Sequence, residues 1–547
     1  MQQARASEAP SYPWLKAYPP EIDWGAEIDV KPMPALIDEA AARFADRPCI
    51  DFLDRRYSFA EIGRLADRTA KGLRALGVEP GVKVGLHLPN CPYSVVCYYA
   101  VLKAGGTLVN FNPLYATPEL QHQIEDSETD VMVTLDAASL HDRLAPLVGR
   151  SRLRHVVVCR LAEALPFPRN WLYPWVMRHE VARIPADGIH LPFSRLIDND
   201  GAIAAEPIDP HRTIALLQYT GGTTGLPKAA MLSHANLYAN TEQCARWFAH
   251  APAGPRRIVG ILPLFHVFAM TVIMNWALHQ GAEMILLPRF KLADLLRTID
   301  RKKATVLAGV PTLFNAIVNA PDLARYDLSS LQYCISGGAP LAAELRAAFE
   351  RTIGARLLEG YGLSECSPVV SCNPVNAGGP PGSVGLPYPR TMVRILSTDP
   401  PRRPLGPGET GEICVAGPQV MAGYWKQPEE TKKVMIDGFL ATGDVGHMDA
   451  EGYLFITDRL KDMINASGFK IYPRRIEEAV LTHPAVLECA VVGVPDSYRG
   501  ETVKAFVALK PGQRLDAEGL RGFLADKLSP LEMPKLVEFR DSLPKTA

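Results

Sequence analysis

The feature that most constrains this chain is a repeating rhythm of short apolar runs, turns and helical stretches. "GVKVGLHLP" (81–89) reads as a strand, "SVVCYYAVLKAGG" (94–106) as a buried helix ending on glycine, and "TLVNFNP" as renewed extended structure. "LRHVVVC" (153–159) and "TIALLQY" (213–219) are further strands. "ATVLAGVP" with "TLFNAIVNA", then "LQYCISGG" with "LAAELRAAFERTIG" and "ARLLEGYG", repeat the strand, turn, helix order. Parallel strands need long crossovers and helices supply them, so the rhythm predicts an α/β fold built on mainly parallel sheets. Past about Gly382 the helices thin out. "MVRILS", "GEICVAG" and "GYLFIT" are short apolar runs divided by turn clusters such as "LGPGETG", which predicts a β-rich subdomain over about 382–457. "DRLKDMINASGFKIYP" then breaks the pattern with charges, and an alternation of helices and strands resumes as a small α+β unit.

A chain of 547 residues is too long for one core. The expected organisation is a large domain over 1–457, a short connection at 458–461 and a small C-terminal domain over 462–547. With 58 Lys plus Arg against 59 Asp plus Glu, no bulk electrostatic attraction to nucleic acid is expected. The ten cysteines are scattered without metal-type spacing and read as buried thiols of a cytoplasmic protein. The N-terminus has no apolar stretch long enough for an export signal. The segment 258–288 is strongly apolar, but Pro263, His266, Asn275 and Glu283 interrupt it, so it reads as buried helix and strand rather than a membrane span.

The chemistry concentrates first in "YTGGTTGLPK" (219–228). A strand running into small and hydroxylated residues, and leading on toward a helix with Ser233 as its cap, exposes backbone amides that make an anion-binding concavity. Lys228 adds a cation, and phosphate is the favoured ligand. This is not a Walker A loop, because Pro227 and Ala229 flank the lysine where that motif needs glycine and a hydroxyl. His266, in "LPLFHVFAM", reads on its own as a satisfied core histidine.

That loop, followed in order by "LEGYGLSECSPVV" (358–370), "GSVGLP" (382–387), "GEICVAGPQVMAGYW" (411–425), "FLATGDVG" (439–446) and "ITDRLKDMINASGFKIYP" (456–473), resembles the adenylate-forming superfamily, and most closely its medium- and long-chain fatty acyl-CoA synthetases. The resemblance runs from about residue 30 to the end. It implies a two-step reaction: a carboxylate attacks ATP to give acyl-AMP and pyrophosphate, and the thiol of coenzyme A then displaces AMP. By the same resemblance Thr220, Gly221, Gly222, Thr223, Thr224, Gly225 and Lys228 hold the β- and γ-phosphates. Gly338, Ala339, Gly360, Tyr361, Gly362 and Ser364 surround the nucleotide, with Tyr361 near adenine, and Glu365 with Thr220 holds Mg²⁺. Asp444 accepts from both ribose hydroxyls, and Arg459 reaches the ribose or α-phosphate. His266 positions the carboxylate, and Phe265, Gly309, Val310 and Gly337 line the acyl pocket with it. Lys461 marks the hinge between adenylation and thioester formation. Gly468, Lys470 and Arg474 stand on the coenzyme A side, in a pantetheine tunnel the family places between its domains.

Ala229 and Ser364 replace the family's usual glycine and threonine. The family pattern continues past "LPKTA" to an adenylation lysine that Lys545 does not represent. A sequence cut short of that lysine is the expectation. The residues leave the acid's class open among fatty, dicarboxylic and aromatic acids. A carrier-loading ligase and a non-catalytic acyl-nucleotide binder are the alternative readings, and monomer and homodimer are equally open. "FPRNWLYPWVMRH" (167–179), with its two tryptophans and flanking bases, suggests a peripheral contact with the inner face of a membrane. Its prolines argue instead for an ordinary packed insertion, which is the expectation here.

Overall fold

The computed structural model describes residues 12–220, 227–466, 469–496 and 500–544. Two compact units emerge: the larger spans Trp14–Met392 and Ala416–Met435, and the smaller comprises Val393–Val415 with the chain from Ile436 onward.

The larger unit carries the expected parallel sheets. In one, Ile214–Tyr219, Thr107–Asn110, Lys83–His87, Thr129–Leu135, His155–Cys159 and His190–Pro192 lie side by side in that order, all parallel. Ala229–Ser233 and then Gly423–Tyr424 extend it as antiparallel strands beyond Ile214–Tyr219. In the other, Arg356–Gly362, Tyr333–Ser336, Val306–Gly309, Arg257–Gly260, Glu283–Leu286 and Pro48–Phe52 form the parallel core. Val369–Cys372 and Ser383–Pro387 continue it antiparallel beyond Arg356–Gly362.

The helices follow the sequence signals. Pro92–Ala104 is buried on nearly every face, as its unbroken apolar run requires, and it closes at Gly105 with φ 90°. The apolar segment 258–288 becomes the strand Arg257–Gly260, buried helical turns from Val267 to Gln280, and the strand Glu283–Leu286. No helix among the described residues is long and apolar enough to cross a membrane. Nine of the ten cysteines are fully buried and none forms a disulfide.

In the smaller unit Met392–Leu396, Gly411–Ala416, Phe439–Met448 and Leu454–Arg459 form a β-sheet in that order, the last three antiparallel. A second sheet orders Phe469–Ile471, Ile464–Ala466, Gly500–Leu509 and Val486–Asp496, with Leu536–Arg540 parallel to Gly500–Leu509. Helices Pro473–Leu481 and Ala517–Leu524 pack Ile476, Val480, Leu520 and Leu524 against Val503, Ala505 and Val507.

One expectation fails outright. The segment 167–179 does not pack: it forms the helix Arg169–Val176, in which no residue is buried. Phe167 is 83% exposed, Trp171 67% and Trp175 75%.

Candidate functional site

The segment 220–228 is a hairpin connection. Tyr219 pairs with Ala229, and beyond them the Thr220 N–H donates to the Lys228 carbonyl at 2.9 Å, reinforced by the Thr220 hydroxyl at 3.2 Å. These bonds pin the two ends of 220–228 together. The chain does not pass straight into a helix as expected; the strand Ala229–Ser233 intervenes, because it has partners on both sides, Ile214–Tyr219 and Gly423–Tyr424. The helix His234–Trp247 then starts where the sequence placed it, with the Ser233 hydroxyl accepting from the Asn236 N–H at 3.1 Å. Gly221, Gly222, Thr223, Thr224 and Gly225 lie outside the described residues.

At the mouth of this hairpin Lys228 is held by two groups the sequence reading assigned no role. Its Nζ donates to Glu430 Oε2 at 2.6 Å and stands 5.3 Å above the centre of the Tyr424 ring. The Lys228 hydrogen bond, with Lys433 beside it, holds the Glu430 carboxyl down to about 2. The Tyr424 hydroxyl in turn donates to Glu365 Oε1 at 2.8 Å. Burial, and then the charge of Glu365, pushes that hydroxyl far above the phenol range, so it remains a donor. Lys228, Tyr424, Glu365 and Glu430 thus form one constellation. Tyr424 was visible in the quoted "AGYW", whereas Glu430 carried no signal apart from the pairing.

Glu365 sits in the turn Ser364–Cys366 after Arg356–Gly362, and its backbone carbonyl accepts from the Met421 N–H at 2.7 Å. Among the described residues no group of three or more His, Cys, Asp and Glu is arranged to hold a metal. A half-buried single carboxylate fits a hard cation that draws its remaining oxygens from a phosphate substrate.

The expected acyl and adenine walls gather at the carboxyl ends of neighbouring parallel strands. Gly309, Ser336 and Glu359 are in register, so Val310 and Gly337–Gly338 leave the sheet at one edge, beside Gly360–Tyr361, which continue in their strand paired with Val369–Cys372; this edge is the usual ligand crevice of open α/β sheets. A Cβ on Gly337 would sit 3.3 Å from both the Gly360 carbonyl and the Phe268 ring, so glycine allows the close approach. Gly338 and Ala339 are exposed and Tyr361 is buried. Glu359, also unassigned from sequence, accepts from the Leu341 N–H at 2.9 Å and fixes the 337–341 turn.

His266 begins the helical turns Val267–Ala269, and its Nδ1 accepts from the Phe268 N–H at 3.3 Å. Its side chain is exposed, yet desolvation by the groups packed around it still holds its pKa below the ordinary histidine value. The Phe265 carbonyl accepts from Gln218 at 3.4 Å. The next turn, Met270–Asn275, is a π-helix, and the Thr271 hydroxyl bonds the Ser367 carbonyl at 2.6 Å, tying this wall to the Glu365 turn.

In the smaller unit Asp444 and Arg459 are register partners, with Arg459 Nε 3.3 Å from Asp444 Oδ1. Asp444 is only 8% exposed. The bend before it is braced by the Glu412 carboxylate, which accepts from the Gly443 N–H at 3.0 Å, and by the Thr442 hydroxyl, which accepts from the Asp444 N–H at 3.1 Å. Lys461 follows Arg459 in an exposed turn. Asp458 accepts from the N–H groups of Arg459 at 2.7 Å and Arg474 at 2.9 Å, and burial raises its pKa. The Arg474 guanidinium donates to the Ile456 carbonyl and to Glu478, both at 2.9 Å, and Lys470 pairs with Asp399 at 2.6 Å. Both bases expected on the coenzyme A side therefore have protein partners within this unit, while Gly468 lies outside the described residues.

The chain is similar to known proteins over nearly its whole length. The family model of AMP-binding enzymes matches residues 37–425, and that of the AMP-binding enzyme C-terminal domain matches 475–547. A long-chain-fatty-acid–CoA ligase of Bacillus subtilis (strain 168) is 44% identical over 98% of this chain and 96% of its own length. A ligase of the same name from Escherichia coli O157:H7 is 37% identical over 97% and 95%. Among solved structures, ATP-bound MatB from Rhodopseudomonas palustris superposes with a TM-score of 0.83 at 30% identity, covering 94% of this chain and 96% of that one.

Proposed function

The chain belongs to the AMP-binding enzyme family, and on that premise we propose that it is an AMP-forming acid–thiol ligase acting on long-chain fatty acids. A carboxylate oxygen attacks the α-phosphorus of ATP, pyrophosphate leaves, and the acyl-AMP is then attacked by the thiol of coenzyme A, which expels AMP and gives up its proton. The acid is already ionised near neutral pH, so no general base is required for the first step. The protein has to position the reactants and neutralise charge.

The observation that carries this reading is the Lys228, Tyr424, Glu365 and Glu430 constellation at the mouth of the hairpin. Lys228 is the phosphate clamp, its ammonium held in place by Glu430. Glu365, oriented by the Tyr424 hydroxyl, would hold Mg²⁺ together with Thr220, and the ion would supply charge neutralisation at the phosphate oxygens. Tyr361 and the 337–339 turn take the adenine, and His266 with Phe265, Gly309 and Val310 faces the acyl group. Asp444 accepts from the ribose hydroxyls, with Arg459 beside it for phosphate or ribose. Residues 458–461 remain the proposed hinge. Gly468, Lys470 and Arg474 remain the proposed coenzyme A contacts, to be reached through exchange of their present partners. A location in the cytoplasm with peripheral contact to a membrane fits an acid of this kind.

The test is pyrophosphate release and thioester formation by the full-length protein across saturated acids from C2 to C18, dicarboxylates and aromatic acids, with and without coenzyme A. Release that peaks with long chains, with thioester formed only when coenzyme A is added, is expected. No release with any acid would sink the proposal, and a peak on an aromatic acid or a dicarboxylate would reassign the substrate.

A further inference from the structure

We propose that the helix Arg169–Val176 and its flanks form a docking surface for an anionic phospholipid bilayer. Six of the thirteen large apolar side chains exposed among the described residues fall between 167 and 184: Phe167, Trp171, Leu172, Trp175, Val176 and Ile184. Within the helix Trp171 and Trp175 are four residues apart with Leu172 and Val176 beside them, so these four share a face, and exposed Phe167 stands two residues ahead of the helix start. A contiguous exposed apolar patch of this kind marks an interaction site.

The helix gains nothing from a core. It buries none of its residues, spans only two turns and contains Pro174, so it is not a helix that would persist as an isolated peptide. Main-chain bonds hold the segment in place instead: Ala138 N–H to the Glu180 carbonyl at 2.8 Å, and Ala182 N–H to the Asp136 carbonyl at 2.7 Å. The stripe is therefore presented by a braced scaffold.

Composition selects the occupant. Tryptophans with an apolar body and one N–H donor suit the headgroup boundary of a bilayer. Between 167 and 184 three arginines, Arg169, Arg178 and Arg183, stand against one acid, Glu180. Arg169 lies 3.6 Å from Asp54, which leaves Arg178 and Arg183 as the bases available to lipid phosphates. This surface would place the enzyme where a long-chain acid partitions, a purpose that rests on the proposed function, although the binding itself does not.

Flotation of the full chain with vesicles of phosphatidylglycerol and phosphatidylethanolamine, and separately with neutral phosphatidylcholine vesicles, tests the proposal without reference to catalysis. The wild type should float with the anionic vesicles, less with neutral ones, and less again at 1 M salt. Trp171→Ser with Trp175→Ser should lower the partition coefficient at least tenfold, and Arg178→Glu should weaken anionic binding alone. All three side chains are exposed, so pyrophosphate release with a soluble medium-chain acid should stay unchanged. Equal flotation of wild type and the double variant would overturn the proposal, as would absence of flotation on any vesicle. A concentration-dependent mass increase abolished by the same variant, without lipid binding, would assign the stripe to a second copy instead.

Discussion

Acidification should destabilise the larger unit through its buried histidines. His87 and His234 are both buried, and desolvation, joined at His87 by the charge of Arg143, lowers each from 6.5 to about 4. A folded-state pKa below the unfolded one means that the unfolded chain binds the proton first. The stability is therefore present above pH 6.5 and is lost as pH falls toward 4. Each imidazole contributes a slope of about 1.4 kcal/mol per pH unit within that window, hence about 2 kcal/mol between pH 6.5 and pH 5. Against a total of about 5–15 kcal/mol this is a large fraction. His141, also lowered by burial, acts in the same direction, whereas Asp136 and Glu283, raised by burial, oppose it. The decisive measurement is therefore a difference between two proteins. His234 Nδ1 accepts from the Met33 N–H at 3.1 Å, a role an asparagine oxygen can take over, so His234→Asn removes the titration while keeping the bond. All seven tryptophans, 14, 24, 171, 175, 247, 276 and 425, belong to the larger unit, so urea unfolding followed by tryptophan emission reports that unit alone. From pH 6.5 to pH 5 the wild type should lose about 2 kcal/mol more than His234→Asn. Identical pH slopes for the two proteins would refute the reasoning.

Three further outcomes follow from the site and the sheet. Lys228→Ala, which removes the proposed phosphate clamp paired with Glu430, should lower the rate of pyrophosphate release about 100-fold while leaving the thermal midpoint within a few degrees, read by a coupled phosphate assay and calorimetry. Asp444→Asn should raise the KM for ATP about 10- to 100-fold and spare that for the fatty acid, because hydrogen bonds to a charged acceptor are worth about 1.5–3 kcal/mol each; equal effects on both substrates would count against a ribose contact. Gly385→Ala should fail to accumulate as folded protein, since φ is +92° and the new Cβ would fall 1.9 Å from the Cys372 carbonyl carbon, a clash measurable as loss of soluble yield.

The parallel sheets were legible because their strands are unbroken apolar runs. Leu307, Cys334 and Leu357, read from three separate segments, turn out to be lateral neighbours in one sheet. Ser233 was legible as a cap because its hydroxyl acts on an amide three residues away. What escaped was set by long-range pairing. Ala229–Ser233 looks like the approach to a helix until Gly423–Tyr424, almost two hundred residues later, is laid against it. Glu430 reads as one acid in the charged run "PEETKK" until the fold brings it to Lys228 across 202 positions. The segment 167–179 failed for a different reason. Two prolines argued against a helix, yet Pro168 precedes the first helical residue, where no N–H is required, and Pro174 forfeits a single bond in a helix of eight residues. The two tryptophans and flanking bases were noticed in the sequence, and the error lay in supposing that prolines would turn the segment into a packed insertion. Periodicity shows which side chains share a face, whereas the surrounding fold determines what that face meets, and here it leaves Trp171 and Trp175 in solvent.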